Sequence, residues 1–225
     1  MVSEKDSGMY DAINKGLAKA QGSICAYLNS DEQYLPGVLQ RVHKRFSISP
    51  ETDLFLGDVV VVDKSGQAVC LRKMVAPTLA HTWTCHFSGL TAGIFLRKAI
   101  VTRGLLYDTR FRAAADAEWY VRLLQAGVRA RALRETTSVF REDGSNLGQS
   151  PVAREERIRL NGTAPAWMRV LRPWWVLWHR ARRFMQGCHQ RADVEIAIYF
   201  PGQGQRRSLS VQRLRTTWPG RIWEY

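Results

Sequence analysis

The chain has 225 residues, of which 45% are hydrophobic and eight are tryptophan, enough apolar side chain for one packed domain with an appendage and too much for a disordered chain. Its net charge of +13 is concentrated at one end, where fourteen arginines stand against five acids from Pro151 onward. A basic tail of this kind attracts phosphate-bearing partners (anionic lipid, nucleic acid or a nucleotide sugar), and no apolar run reaches the roughly 18 residues of a membrane-spanning helix.

Taken in chain order, Tyr10 to Ala20 carries Ile13, Leu17 and Ala20 at helical spacing, with Gly22 as a stop. Ser23 to Leu28 reads as a short buried strand ending in Asn29-Ser30-Asp31-Glu32. Pro36-Gly37 opens a helix through Phe46. Asp53 to Val62 is strand-like; Asp63-Lys64-Ser65-Gly66 makes a hairpin turn, and Gln67 to Met74 returns. Arg97 to Arg103 forms a helical turn. Arg112 to Gln125 is a helix closed by Gly127. Val128 to Leu133 and Thr136 to Phe140 read as two strands, Asp143-Gly144-Ser145 as a turn, and Pro151 to Asn161 as a charged amphipathic helix. Beyond Pro165, tryptophans and leucines interleave with arginines as far as Phe184. Val194 to Phe200 is then a strand, Pro201 to Gly204 a turn, and Leu209 to Leu214 a return strand. The change of character places a boundary between 1–162 and 163–225.

Strands alternating with helices, apolar on both faces, argue for an α/β layered domain, and such sheets bind ligands beyond the carboxyl ends of their strands. Asn29 and Asp31 lie at such an end. A carboxylate there can coordinate a divalent ion that neutralises a diphosphate, with Asn29 reaching a ribose. The same residues also suit a turn and helix cap. Asp116, near the start of its helix, can act as a general base or serve only as a first-turn carboxylate favoured by the helix dipole. Arg141 at a strand end can meet phosphate or face solvent. The Trp167 to Phe184 stretch fits a helix lying in a lipid headgroup layer with arginines on anionic lipid. It equally fits an aromatic helix packed on the core with its arginines outside. Cys25, Cys70, Cys85 and Cys188 have no metal-ligand or paired spacing, so buried thiols are expected. Met1 to Gly22 is charged and polar, unlike a secretory leader, which leads us to expect a cytoplasmic protein, peripheral at most to the inner face of the membrane.

The order and spacing of these pieces resemble the family-two glycosyltransferases of bacterial polysaccharide gene clusters. The resemblance is carried by Ser3 to Gly16, Leu28 to Glu32, Gly57-Asp58-Val59 to Asp63, Gly93 to Arg97, Ala115 to Leu123, and Phe140 to Ser145. It implies a GT-A-like (Rossmann-like) α/β fold, a mixed sheet with flanking helices, plus a C-terminal helical and β-hairpin appendage. It implies transfer of a sugar with inversion, from a nucleotide sugar to a glycan or lipid-linked acceptor, with a divalent metal (Mg or Mn) as cofactor. By the same resemblance Asp31 is the metal-binding acid and Asp116 the catalytic base, with Glu118 the second acid of that helix. Asp6, Asn14, Lys15, Asn29, Asp31 and Arg141 are implied on the donor side. Departures are Glu32 for the last acid of the strand-end motif, Ala117 for a tyrosine, and Asp143 for a glycine. The apolar strand and the two turns with which family members begin have no counterpart before Ser3. The expectation is therefore an N-terminally truncated sheet with an unpaired edge: a fragment, a misassigned start or a decayed copy. The rival reading is a basic binding module for membrane or nucleic acid; the chain holds no recognised nucleic-acid motif, and a nucleic-acid partner is not expected.

Overall fold

The computed structural model describes residues 4–142, 144, 147–200 and 204–218, with the Gln149 side chain left aside. Two expected turns, Asp143-Gly144-Ser145 and Pro201 to Gly204, lie wholly or partly outside these residues.

The chain begins with α1 (Met9–Lys19), then β1 (Ile24–Cys25), β2 (Gln33–Tyr34) and α2 (Val38–Ile48). The antiparallel pair β3 (Leu54–Val62) and β4 (Ala68–Arg72) follows, then α3 (Leu79–Thr84), β5 (Ile94–Arg97), α4 (Lys98–Thr102), α5 (Ala115–Gln125) and β6 (Ala130–Arg141). Three helices, α6 (Pro151–Gly162), α7 (Ala166–Val170) and α8 (Arg172–Met185), precede the hairpin of β7 (Ala192–Tyr199) and β8 (Arg206–Leu214).

The sheet runs β1-β5-β3-β6-β2, with β4 branching from β3. Among the described residues only β3 and β6 pair in parallel, so the sheet is mixed as expected. Every residue of β3 is buried, which explains why it is apolar on both faces apart from Gly57 and Asp58: a strand covered on both sides has no solvent side to alternate with. Its side chains divide between two cores. Leu54 and Leu56 join Tyr10 and Leu17 of α1, Ile100 of α4, and Trp119, Tyr120 and Leu123 of α5. Phe55, Val60 and Val62 join Val38, Val42 and Phe46 of α2 on the other face, with Val194, Ile196, Ile198 and Leu214 of the β7–β8 hairpin. The hairpin thus covers the sheet beside α2.

The motif residues explain themselves locally. Arg97 donates to the carbonyls of Thr52 (2.8 Å) and Phe46 (2.9 Å) and stacks on the Phe46 ring, closing the carboxyl end of α2. Gly57 and Gly93 let β3, β6 and the turn before β5 approach. A Cβ on Gly93 would stand 2.4 Å from the Gly57 oxygen, and one on Gly57 2.3 Å from the Thr137 side chain.

Some elements differ from the expectation. The two strands expected over 128–140 are one strand, β6, bent where Arg134 takes a positive φ of 61° and the register against β3 shifts. The strand expected over Ser23 to Leu28 shortens to Ile24–Cys25 at the sheet edge. The expected long tail helix breaks at Leu171 into α7 and α8, Pro173 falling in the first turn of α8, where proline is tolerated. All four cysteines are buried and none is in a disulfide among the described residues. No helix among the described residues is long and apolar enough to cross a membrane.

Candidate functional site

A cleft of about 240 Å³ opens where the segment after β1, the end of β6 and the start of α5 meet. Asn29, Asp31, Asp116 and Arg141 line it, with Tyr10, Tyr27, Thr91 and Glu142. Asp31, Asp116 and the adjacent pair Arg141 and Glu142, far apart in sequence from one another, thus share one pocket. A second cavity of about 170 Å³ lies on the far side of Asp31 and Arg141, which line both, and its other wall includes Ile198, Tyr199 and Phe200 at the end of β7. Gln33 of β2 exchanges two hydrogen bonds with the Tyr199 backbone, 2.8 and 3.0 Å, fixing that wall to the sheet.

Asp31 is exposed at the cleft mouth. Its neighbour Glu32 is buried and turns back to accept the Asn29 backbone N–H (2.9 Å) and side-chain amide (3.0 Å). Glu32 is therefore the brace of the turn that presents Asn29 and Asp31, and burial pushes its carboxyl up to about 7. The glutamate in place of a second aspartate supplies the extra methylene this back-bonding spans.

Asp116 is half-buried in the first turn of α5. Burial holds its carboxyl above the usual range, and the nearby Glu156 charge adds to this; the Ala117 N–H (3.0 Å) and the charge of Arg157 work against it. Tyr10, Tyr27, Tyr107 and Tyr120 surround it closely enough for its charge to raise each phenol further. The aromatic wall is continuous: Tyr10 stacks on Tyr107, Tyr107 on Trp119, and the Tyr27 and Tyr107 hydroxyls meet at 3.0 Å.

The sequence singled out neither Glu156 nor its role. Its carboxylate accepts the backbone N–H groups of Arg112 (2.7 Å), Ala113 (2.9 Å) and Ala114 (2.8 Å), which lead into α5. The signal was present: Glu156 falls on the stripe of α6 that also buries Ala153 and Leu160.

Four of the residues expected at the site do not line the cleft. Asn14 gives its amide to the Tyr107 carbonyl (2.8 Å) and takes the Tyr107 N–H (2.9 Å), splinting α1 to the loop before α5. Lys15 pairs with Asp6 (2.9 Å) and Asp11 (3.0 Å) at the surface. Glu118 pairs with Arg122 one turn on, whose guanidinium also reaches the Leu106 carbonyl. Arg141 does line the cleft. It donates to the Lys64 carbonyl (3.2 Å), and its Nε is buried with no hydrogen-bond partner among the described residues.

Among the described residues no group of three or more His, Cys, Asp or Glu is arranged to hold a metal ion. The donor chemistry at Asp31 nonetheless suits a hard divalent cation of the kind that binds through one or two carboxylates and takes its remaining ligands from substrate phosphate and water.

Comparison with known proteins gives the same direction. Residues 1–84 match the model of the glycosyl transferase family 2. PGL/p-HBAD biosynthesis glycosyltransferases of Mycobacterium bovis and Mycobacterium tuberculosis are 28% identical over 123 residues, 53% of this chain. The chain spans 44% of the length of these curated relatives. In fold it is similar to S. aureus TarS, with a TM-score of 0.51 at 13% identity over 95% of this chain and 49% of that one. The TarS 1–349 structure in complex with UDP-GlcNAc gives a TM-score of 0.50 at 14% identity, over 82% of this chain and 55% of that one. The architecture is that of the GT-A glycosyltransferases.

Proposed function

We propose that this chain, whose residues 1–84 match the family-two glycosyltransferase model, transfers a sugar from a nucleotide sugar to a hydroxyl of a glycan or lipid-linked acceptor, with inversion. The observation that carries the reading is that Asp31 and Asp116 line one cleft. Residues 1–162 supply that cleft, and 163–225 are an appendage built onto it.

Donor diphosphate sits between Asp31 and Arg141. The Arg141 guanidinium, which lines both cavities, supplies a charge-assisted donor to a phosphate oxygen, and Asn29 reaches the ribose. A divalent ion (Mg or Mn) at Asp31 would neutralise the charge that develops on the leaving nucleoside diphosphate. Asp116 takes the proton of the acceptor hydroxyl as its oxygen bonds to the anomeric carbon from the face opposite the diphosphate. The bond from that carbon to the diphosphate oxygen breaks, and the proton ends on Asp116. Burial favours this role, because a carboxylate whose pKa is raised toward the working pH is a stronger base. Glu118, held by Arg122 away from the cleft, is the poorer base. Asp6, Asn14 and Lys15 act one step back, steadying α1 and the loop it touches.

TarS has been crystallised with UDP-GlcNAc, so UDP-sugars are the first donors to try. Release of UDP from UDP-GlcNAc in the presence of a lipid-linked or glycan acceptor should fall by roughly 10²-fold or more in Asp116→Asn with folding intact. Turnover by Asp116→Asn equal to that of the unsubstituted chain would refute the assignment. A basic binding module, the rival reading, predicts no dependence on either aspartate.

A further inference from the structure

Helix α8 is inverted. His179 and Arg183 are buried on its inner face, where the His179 ring stacks on His81 of α3 at 3.9 Å. Arg182 donates to the Ala76 carbonyl at 2.9 Å. On the opposite face Trp174, Leu177, Trp178, Phe184 and Met185 are exposed, Trp174 at 57% and Phe184 at 76%. The spacing of these five, three, four, ten and eleven residues from the first, places them on a single face of the helix. The short helix α7 extends the same surface with Trp167, Val170 and Leu171, and the Trp175 indole ties the two helices by donating to the Met168 carbonyl at 3.0 Å. Arg169, Arg172 and Arg180 are exposed on these helices. Three arginines are thus outside, as in the core-packed arrangement, but Trp167, Trp174 and Trp178 are outside with them rather than packed on the core.

We infer that this face lies in the headgroup layer of an anionic lipid bilayer, with α8 parallel to the surface. Two observations select lipid over a second copy of the chain. Arg180 borders the apolar face on α8 and Arg169 is exposed on α7, on a chain of net charge +13, so two copies set face to face would oppose like charges, whereas anionic headgroups complement them. The exposed set is also rich in tryptophan, whose apolar ring and polar N–H suit the boundary between headgroups and acyl chains. A 14-residue helix is too short to span the bilayer and long enough to lie on it. The inference deepens the proposed function: α3 packs against both α8 and α5, the helix of Asp116, so the membrane face and the base side of the cleft belong to one helical layer. A lipid-linked acceptor would then be met at the bilayer surface.

The test is flotation of the 225-residue chain with vesicles of phosphatidylcholine alone and of phosphatidylcholine mixed with phosphatidylglycerol. It is accompanied by quenching of tryptophan fluorescence by brominated acyl chains. We expect flotation with the mixed vesicles, weaker flotation with neutral ones, and quenching in the former. Combining Trp174→Ser, Leu177→Ser and Trp178→Ser should lower partitioning by about tenfold or more at an unchanged melting temperature, since the three are exposed. Arg169→Glu with Arg180→Glu should abolish the preference for anionic vesicles. The inference is overturned if the chain stays at the bottom of the gradient with both vesicle types. It is equally overturned if sedimentation shows a dimer that the triple variant dissolves while lipid binding is absent. None of these readouts depends on sugar transfer, so failure here leaves the cleft assignment to its own test.

Discussion

The carboxylate of Glu156 holds the backbone N–H groups of Arg112, Ala113 and Ala114 that lead into the helix bearing Asp116, and its charge reaches Asp116. One residue thereby positions the proposed base and adds a smaller contribution to the rise in its pKa that burial mainly causes. Glu156→Ala leaves three N–H groups without their acceptor, two of them in buried surroundings, and should cost roughly 3 kcal/mol or more by urea denaturation. Glu156→Gln keeps an acceptor but removes the charge that raises the Asp116 pKa. Its signature is a pH–rate profile whose acid limb moves to lower pH, which a purely structural role would not produce.

Asp116 itself should be costly to the fold. A carboxyl whose folded-state pKa is raised binds its proton more tightly folded than unfolded. Its contribution to stability is thus fullest at low pH and is lost as pH rises above the unfolded value. Asp116→Asn should therefore be no less stable than the parent above neutral pH, while transfer is lost. Denaturation at pH 5 and pH 8, run beside the activity assay, checks both halves.

Glu32 obeys the same sign with a stated range. Its pKa moves from 4.5 to about 7, so the parent chain should lose stability between those values and level off above them. Asp58, raised to about 6 by burial although it accepts the Met74 N–H at 2.7 Å, adds to the same slope. Glu32→Gln should flatten the slope by an amount on the order of 2–3 kcal/mol across the window. It should also weaken donor binding, since the turn carrying Asn29 and Asp31 loses one of its two braces. A melting-temperature series from pH 4 to 8 reads the first effect and nucleotide titration the second.

Gly93→Ala places a methyl against the Gly57 carbonyl, backbone that cannot swing aside. A loss of about 1–3 kcal/mol is expected from thermal melts, as for overpacked cores. Gly104→Ala should behave differently: nothing stands within 4 Å of its Cβ position, and its cost comes only from a φ of +75°.

Much of this architecture was legible in the residues. The apolar residues on either side of Gly57-Asp58 marked β3 as a strand, and the periodicity of α1, α2 and α5 placed them to within a few residues. What escaped was decided by partners distant in sequence. Arg134 and Glu135 look like a break between two strands, yet pairing with β3 carries β6 through them. Thr78 to Thr84 holds three threonines beside Leu79 and Ala80 and is too short to form a helix alone, and α3 is held by Leu79 and Trp83 packing against Ala117, Val121 and Leu160. The helical character of α8 was visible, but not which side faced the protein, because the stacking of His179 on His81 is a tertiary event. At the site, the motif drew attention to Asn14 and Lys15 without separating a residue that binds ligand from one that clamps the loop beside it. Glu156, whose three backbone partners lie in another segment, could be found only through the stripe it shares with Ala153 and Leu160.

The central claim is that Asp31 holds the donor and Asp116 serves the acceptor within one cleft. Calorimetric titration of UDP with Mn²⁺ into the parent chain, Asp31→Ala and Asp116→Asn tests it most directly. The account predicts binding by the parent, a loss of about tenfold or more in Asp31→Ala, and affinity within about twofold of the parent in Asp116→Asn. Equal affinity in Asp31→Ala and the parent, or no binding by the parent at all, would contradict it.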